Sequence, residues 1–207
     1  MNHFIHDYET LGQNPINCVL VNCAYFIFDS DRFLTNNPYT HEELITTIKL
    51  DKFSVEDQKN AGYVIDPDTV KWWMKQDEEV RKQCLPSKVD ISRIRHTHNI
   101  KDYITNQKIS RWWTRGNTFD PVILKELDDK AMTGIFEILR FWNVRDIRTF
   151  VDTKFNFKSR SDFNPFEDNK KWNKIFKKHN SVHDVSADIL RMQQIFRAEN
   201  GLSLVDR

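Results

Sequence analysis

Apolar and polar positions alternate near the start of the chain. Phe4, His6 and Tyr8 share one face and Ile5, Asp7 and Glu9 the other, the period of two expected of a strand. Gly12, Gln13, Asn14 and Pro15 supply turn chemistry. Asn17 to Phe28, rich in β-branched and aromatic side chains, predicts a second strand buried on both faces, and Thr46 to Phe53 a third. The period then changes. Asp66-Pro67 reads as an N-cap with proline at the first helical position, and Val70, Trp73 and Met74 follow at helical spacing. Asp77-Glu78-Glu79 opens another short helix, and Pro86 closes the region. Asp90 to Asn106 predicts a helix carried by Ile91, Ile94, Tyr103 and Ile104. Arg111 to Thr114 predicts a short strand, Asp120-Pro121 a helix with Val122, Ile123 and Leu127, Glu137 to Trp142 a strand, and Val144 to Phe155 a helix. The final helix is expected over Asp184 to Glu199, with Val185, Ile189, Met192 and Ile195 or Phe196 as its stripe. Strands first, then helices alternating with strands, imply an α/β fold with a mixed sheet.

Length and composition narrow this picture. A chain of 207 residues favours one domain and is long enough to bury a core without metal or disulfide staples. With 39% hydrophobic and 29% charged residues it is an ordinary folded protein, neither fibrous nor disordered. A net charge of +1 means that any grip on a polyanion must be local. The local candidate is Lys154 to Lys178, with eight Lys/Arg against three acids and Phe155, Phe157, Phe163, Phe166, Trp172 and Phe176 interleaved. It reads either as a backbone track or as a solvated insertion. Cys18, Cys23 and Cys84 form no zinc-spaced set and are expected as reduced thiols. No apolar run reaches the ~20 residues of a membrane helix, and Asp7 and Glu9 stand where a secretory leader needs an apolar core.

Four acids then stand out. Asp7 and Glu9 lie on one face of a strand about 7 Å apart, close enough to repel unless a positive charge intervenes. Asp120 ends the string Arg115-Gly116-Asn117-Thr118-Phe119-Asp120, just past a strand. Asp188 projects from the apolar stripe of the last helix, where a carboxylate is costly unless neutralised. Singly, each has a plain structural explanation: Asp7 as a turn residue, Asp120 as an N-cap, Asp188 as the partner of a buried arginine such as Arg145 or Arg148. Their combination is the signal.

The strings Asp7-Tyr8-Glu9-Thr10, Asn117-Thr118-Phe119-Asp120 and His183 five residues before Asp188 resemble, in order, the three motifs of the DEDD-type 3′→5′ exonucleases of the ribonuclease-H-like superfamily. Position 184 is Asp rather than Tyr, which places the resemblance in the histidine branch. Asp66 to Trp73 and Phe141 to Thr149 resemble the exodeoxyribonuclease A group of T-even phages, related to exonuclease VIII and mycobacterial exoribonuclease domains. Val185 departs from the small residue that many relatives carry two positions after the histidine.

The resemblance implies a ribonuclease-H-like three-layer α/β fold with a mixed five- or six-stranded sheet. It implies one exonuclease domain over residues 1–207, with a basic aromatic insertion around 154–180. It further implies two Mg²⁺ or Mn²⁺ ions held by Asp7, Glu9, Asp120 and Asp188, with His183 as general base. The expected reaction removes 5′-mononucleotides from the 3′ end of single-stranded DNA in a cytoplasm, bacterial or phage-infected. The alternatives are an exoribonuclease of the same fold and a catalytically silent binder of nucleic-acid ends. No membrane role and no partner protein are indicated. Thr10, Asn117, Phe119, Trp73, Trp113 and Arg148 are the substrate-binding candidates, although at least one tryptophan of each Trp-Trp pair is expected in the core. His183 and Asp188 would lie ~140° apart around a continuous helix, so the histidine is expected in the loop before it. His3, His41, His96, His98 and His179 are read as ordinary surface residues.

Overall fold

In a computed structural model of the chain, residues 1–155 and 174–203 are described. Five strands form one sheet: β1 (Asn2–Thr10), β2 (Leu20–Asp29), β3 (Lys49–Lys52), β4 (Arg111–Thr114) and β5 (Val144–Asp146). Their order is β3-β2-β1-β4-β5. β2 runs antiparallel to both β1 and β3, whereas β4 is parallel to β1 and β5 to β4. The helices are α1 (His41–Thr47), α2 (Val55–Asn60), α3 (Pro67–Trp73), α4 (Glu78–Arg81), α5 (Arg93–Ile104), α6 (Asp120–Ala131), α7 (Ile135–Leu139), α8 (Ile147–Lys154) and α9 (Ser181–Glu199).

The alternation in β1 divides the core. Phe4 and Tyr8 join Cys23, Tyr25 and Trp112 in a cluster closed by Ile100, Ile104, Ile123, Leu124, Ile135 and Leu139 of α5, α6 and α7. Ile5, on the opposite face, packs with Leu44 of α1, Ile147 and Val151 of α8, and Val185, Ile189 and Met192 of α9. Helices therefore cover both faces of a mixed sheet, the three-layer α/β arrangement expected. A third cluster, Leu11, Val19, Val21, Trp73 and Val80, seats α3 and α4 beyond the end of β1. No helix among the described residues is long and apolar enough to cross a membrane.

Several expected boundaries move, three of them for a plain local reason. Strand Thr46–Phe53 shrinks to β3 because Thr40 caps α1, its Oγ1 accepting from the Glu43 N–H at 3.2 Å, and the helix runs to Thr47. The strand over Glu137–Trp142 is instead α7 and a 3₁₀ turn. Ile135 and Leu139 are both buried one turn apart, and the Asp128 carboxylate accepts from the N–H groups of Ile135 and Phe136. The strand falls at Val144–Asp146, and Asp146 caps α8 by accepting from the Thr149 N–H at 2.7 Å. Most of the basic aromatic stretch, including Phe157, Phe163, Phe166 and Trp172, lies outside the described residues.

Candidate active site

The parallel strands β1, β4 and β5 end on the same side of the sheet, where open α/β folds place their ligands. A cavity of about 610 Å³ lies there, lined by Asp7, Glu9, Asp120 and Asp184, with Arg115, Arg148, Arg191, Phe119, Phe176 and His179 around them.

Each acid arrives by a different route. Asp7 and Glu9 share the α9-facing side of β1, as the alternation predicted. Asp120 opens α6 without capping it. The residue before it, Phe119, makes no side-chain cap bond, and Asp120 Oδ1 accepts from the Tyr8 N–H at 3.0 Å. This bond fastens α6 to the strand between the two acids of β1. Gly116, with φ at +126°, lets the preceding loop turn beside Arg148, whose Nη1 would lie 3.2 Å from any Cβ there. Asp184 sits in the first turn of α9, whose N-cap is Asn180, its side chain accepting from the N–H groups of Val182 and His183.

The electrostatics follow from crowding four acids into one hollow. Burial raises the Asp7 carboxyl well above the usual range, and Glu9, Asp120, Asp184 and Asp188 add to it. Burial and then Asp184 raise Glu9 in the same way. Asp120 is pushed up to about 7 by burial, against the pull of the Tyr8 N–H and Arg148. Asp184 rises to about 7 by burial and the nearby Asp188, opposed by the His179 N–H and by Arg191 and Arg115. Such a cluster releases its protons together when a hard, oxygen-seeking cation enters. Among the described residues, Glu9, His179 and Asp184 offer ligand atoms that all lie within 4.8 Å of one another. The donor set therefore fits a divalent cation.

Two expected site residues, His183 and Asp188, are not among those lining the cavity. His183 is the third residue of α9 rather than part of the preceding loop. It does not line the cavity: its ring packs 5.2 Å from that of His41 and 6.2 Å from that of Phe176, and its Nδ1 is buried without a hydrogen-bond partner. Asp188 is buried, and its Oδ1 accepts from Arg115 Nη1 at 2.7 Å and Arg191 Nη1 at 2.6 Å. Its arginine partners are Arg115 and Arg191, not Arg145 or Arg148, and its charge still reaches Asp7, Asp120 and Asp184.

The loop-histidine, helix-aspartate geometry is met four residues earlier. His179 precedes the N-cap, Asp184 lies in the first turn, and the His179 N–H donates to Asp184 Oδ2 at 2.8 Å. His179 and Asp184 are also five residues apart in the sequence. Asn180-Ser181 would have marked the true helix start.

Of the substrate candidates, Phe119 and Arg148 line the cavity. Trp73 is buried, and its Nε1 donates to the Thr10 carbonyl at 2.9 Å, so it is core. Trp113 packs against Phe150, and its Nε1 points to His3 Nδ1 at 3.4 Å. Thr10 Oγ1 donates to the Gly12 carbonyl, and exposed Asn117 accepts from Thr114 Oγ1. None of these four lines the cavity. Exposed Trp72 comes close to it, its ring 4.7 Å from that of His179. His3, His41 and His96 are buried, contrary to the surface positions expected of them.

Comparison with known proteins agrees with the fold. Residues 2–196 match the 3′-5′ exoribonuclease Rv2179c-like domain. A phage T4 exodeoxyribonuclease is 32% identical over 98% of this chain and 92% of its own. E. coli exonuclease I bound to a dA16 oligonucleotide superposes with a TM-score of 0.62 at 16% identity, covering 97% of this chain and 41% of that one. A zinc-bound form of the E. coli enzyme with single-stranded DNA gives 0.58 at 15% identity, covering 97% and 41%. The chain thus spans about two-fifths of the length of these solved structures.

Proposed function

The chain belongs to the 3′-5′ exoribonuclease Rv2179c-like domain family and is a 3′-5′ exonuclease acting on nucleic acid; we propose that it shortens single-stranded DNA from the 3′ end, releasing 5′-mononucleotides. Asp7, Glu9, Asp120 and Asp184 would hold two divalent cations, Mg²⁺ or Mn²⁺. The convergence of these four carboxylates on the walls of one cavity carries the reading. Asp7 feels the charges of Glu9, Asp120, Asp184 and Asp188 together, so a cation entering the cavity would relieve it most directly.

Bound divalent cations supply a more acidic water and a counter-charge for the leaving oxygen. The chain's own residues do the rest. His179, in the loop before α9, would take the proton of the attacking water, with His183, the residue expected from the motif, as the alternative. Arg148, exposed at the rim beside Asp120, meets a backbone phosphate. Phe119 and Trp72 offer ring faces to terminal bases.

The choice of DNA rests on the phage relative, named an exodeoxyribonuclease; the name of the family supports the RNA reading. Single-stranded DNA and RNA of equal sequence, each labelled at the 5′ end, separate the two in Mg²⁺ or Mn²⁺, with Asp7→Ala as control. We expect a DNA ladder that shortens from the far end and vanishes in Asp7→Ala. Faster loss of RNA overturns the choice of sugar. Binding with no ladder on either strand overturns catalysis and leaves the silent binder.

A further inference from the structure

Strand β5 ends at the acid cavity and begins, about 10 Å away, beside a second hollow. That hollow has a volume of about 400 Å³ and is lined in part by Asn106, Lys108, Glu137, Arg140 and Asn143. Three of these hold a left-handed backbone: Asn106 at φ +67°, Lys108 at +47° and Arg140 at +56°. Asparagine enters that region readily, whereas lysine and arginine do so at a cost, and such strain collects at binding sites. Glu137, the acid of the hollow, lies against Gly134, where Lys101 Nζ also approaches. Lys108 and Arg140 are exposed, and among the described residues neither forms an ion pair.

Phe141 and Trp142 follow Arg140 in the chain and are 70% and 58% exposed. Their rings meet edge to face at 5.0 Å, and the Arg140 guanidinium lies 5.7 Å over the indole. A contiguous exposed aromatic pair marks a contact surface in a way that a lone exposed side chain does not. Two further arginines join this patch to the acid cavity. Arg145 Nη1 donates to the carbonyls of Trp142 and Val144 at 2.9 and 2.7 Å, which holds it on β5, and Arg148 stands at the cavity's rim. Because β5 is the outermost strand, the line runs along an edge of the sheet.

We propose that this edge is the track of the upstream strand. With its 3′ end among the acids, a single strand passes Arg148 and Arg145 and stacks a base on Trp142, while Arg140 and Lys108 meet its phosphates. Cations interleaved with open ring faces suit an unpaired polynucleotide, whose bases are free to stack. The proposal rests on the exonuclease reading for the direction of the strand.

Binding and turnover test it separately. Anisotropy in chelator gives the affinity for a labelled single strand of about 20 nucleotides. In Mn²⁺, kcat/KM is compared for that strand and for a trinucleotide too short to reach Trp142. We expect Trp142→Ala to weaken binding of the long strand roughly 5- to 100-fold and to lower its kcat/KM, with the trinucleotide within about twofold of wild type. Arg140→Gly, which suits the left-handed backbone, should flatten the slope of log affinity against log salt by about 0.7. Unchanged long-strand affinity in both variants overturns the proposal. So does an equal loss of kcat/KM on the two substrates, which would place the effect in the acid cavity. Dimers that become monomers on Trp142→Ala, with DNA binding intact, would give the patch to a second copy of the chain and also overturn it. If the wild type cuts neither substrate, the exonuclease reading fails, while anisotropy still decides whether this edge binds the strand.

Discussion

Asp184 and Asp188 sit one turn apart on one face of α9, and what each meets decides its fate. Asp184 looks into the cavity, whereas Asp188 is taken by two guanidinium groups. Asp188→Asn should therefore leave Mn²⁺ affinity within about threefold while costing roughly 3 kcal/mol of stability, since two buried charges lose their counter-ion. Calorimetry and urea unfolding read the two effects separately. A fall in affinity as large as that of Asp184→Asn would restore Asp188 as a metal ligand. The histidines divide in the same way. His179→Ala should lower kcat by ~10²- to 10⁴-fold, and His183→Ala by less than about threefold. Mononucleotide release under single-turnover conditions compares them, and a reversed ranking would return the base to His183. The sequence allowed both registers because a five-residue His–Asp spacing occurs twice, four residues apart. Motif spacing does not rank them; the N-cap at Asn180 puts His179 before α9 and His183 inside it.

Elements were readable wherever one local pattern dominated. Strand β1 appeared with the correct side chains on each face, and α3 began at its Asp-Pro pair as expected. One tryptophan of each Trp-Trp pair, Trp73 and Trp112, is in the core, as helical spacing suggested for Trp73. What failed was the short apolar run. Ile135 to Leu139 is too brief for periodicity to separate strand from helix, and a side chain seven residues away decides it. Asp128 accepts from Thr133 Oγ1 and from the N–H groups of Ile135 and Phe136, tying the end of α6 to the start of α7. Asp128→Ala should cost about 2–3 kcal/mol of stability with turnover per folded molecule unchanged. Denaturant titration alongside the nuclease assay checks both. A loss of turnover at full folding would place this loop in the site.

For the molecule as a whole, stability in the absence of metal should fall as pH climbs above ~6.5, where the histidines no longer offset the acids. Two sets of groups oppose each other. The carboxyls of Asp120 and Asp184 are raised to about 7, and Asp7 and Glu9 are raised as well. An acid raised in the fold stabilises it below its unfolded value of ~4 and loses that contribution as pH climbs through its folded value. The buried imidazoles act in the other direction. His3 and His41 are held down to about 4 and His6 to about 3 by burial, so the fold weakens as pH drops below ~6.5 and the unfolded chain takes up their protons. In chelator, the melting temperature should fall from pH 6.5 to 8, and millimolar Mg²⁺ at pH 8 should restore it, because the cation binds only the fold. A melting temperature that climbs over that interval in chelator would contradict the crowded-acid account. Neither trend was visible in the chain, where a net charge of +1 hides four like charges that only the fold brings together.

The bond from Asp120 to the Tyr8 amide makes one of the proposed ligands unlike the rest. Replacing it with an apolar residue strands a main-chain donor in the interior, a penalty of about 1–3 kcal/mol before any chemistry is lost. Glu9 and His179 carry no comparable structural debt to β1. A lineage drifting from scissors to mere clamp would thus be expected to shed those two early and to keep Asp120 as a relic, a fastening that outlives its trade.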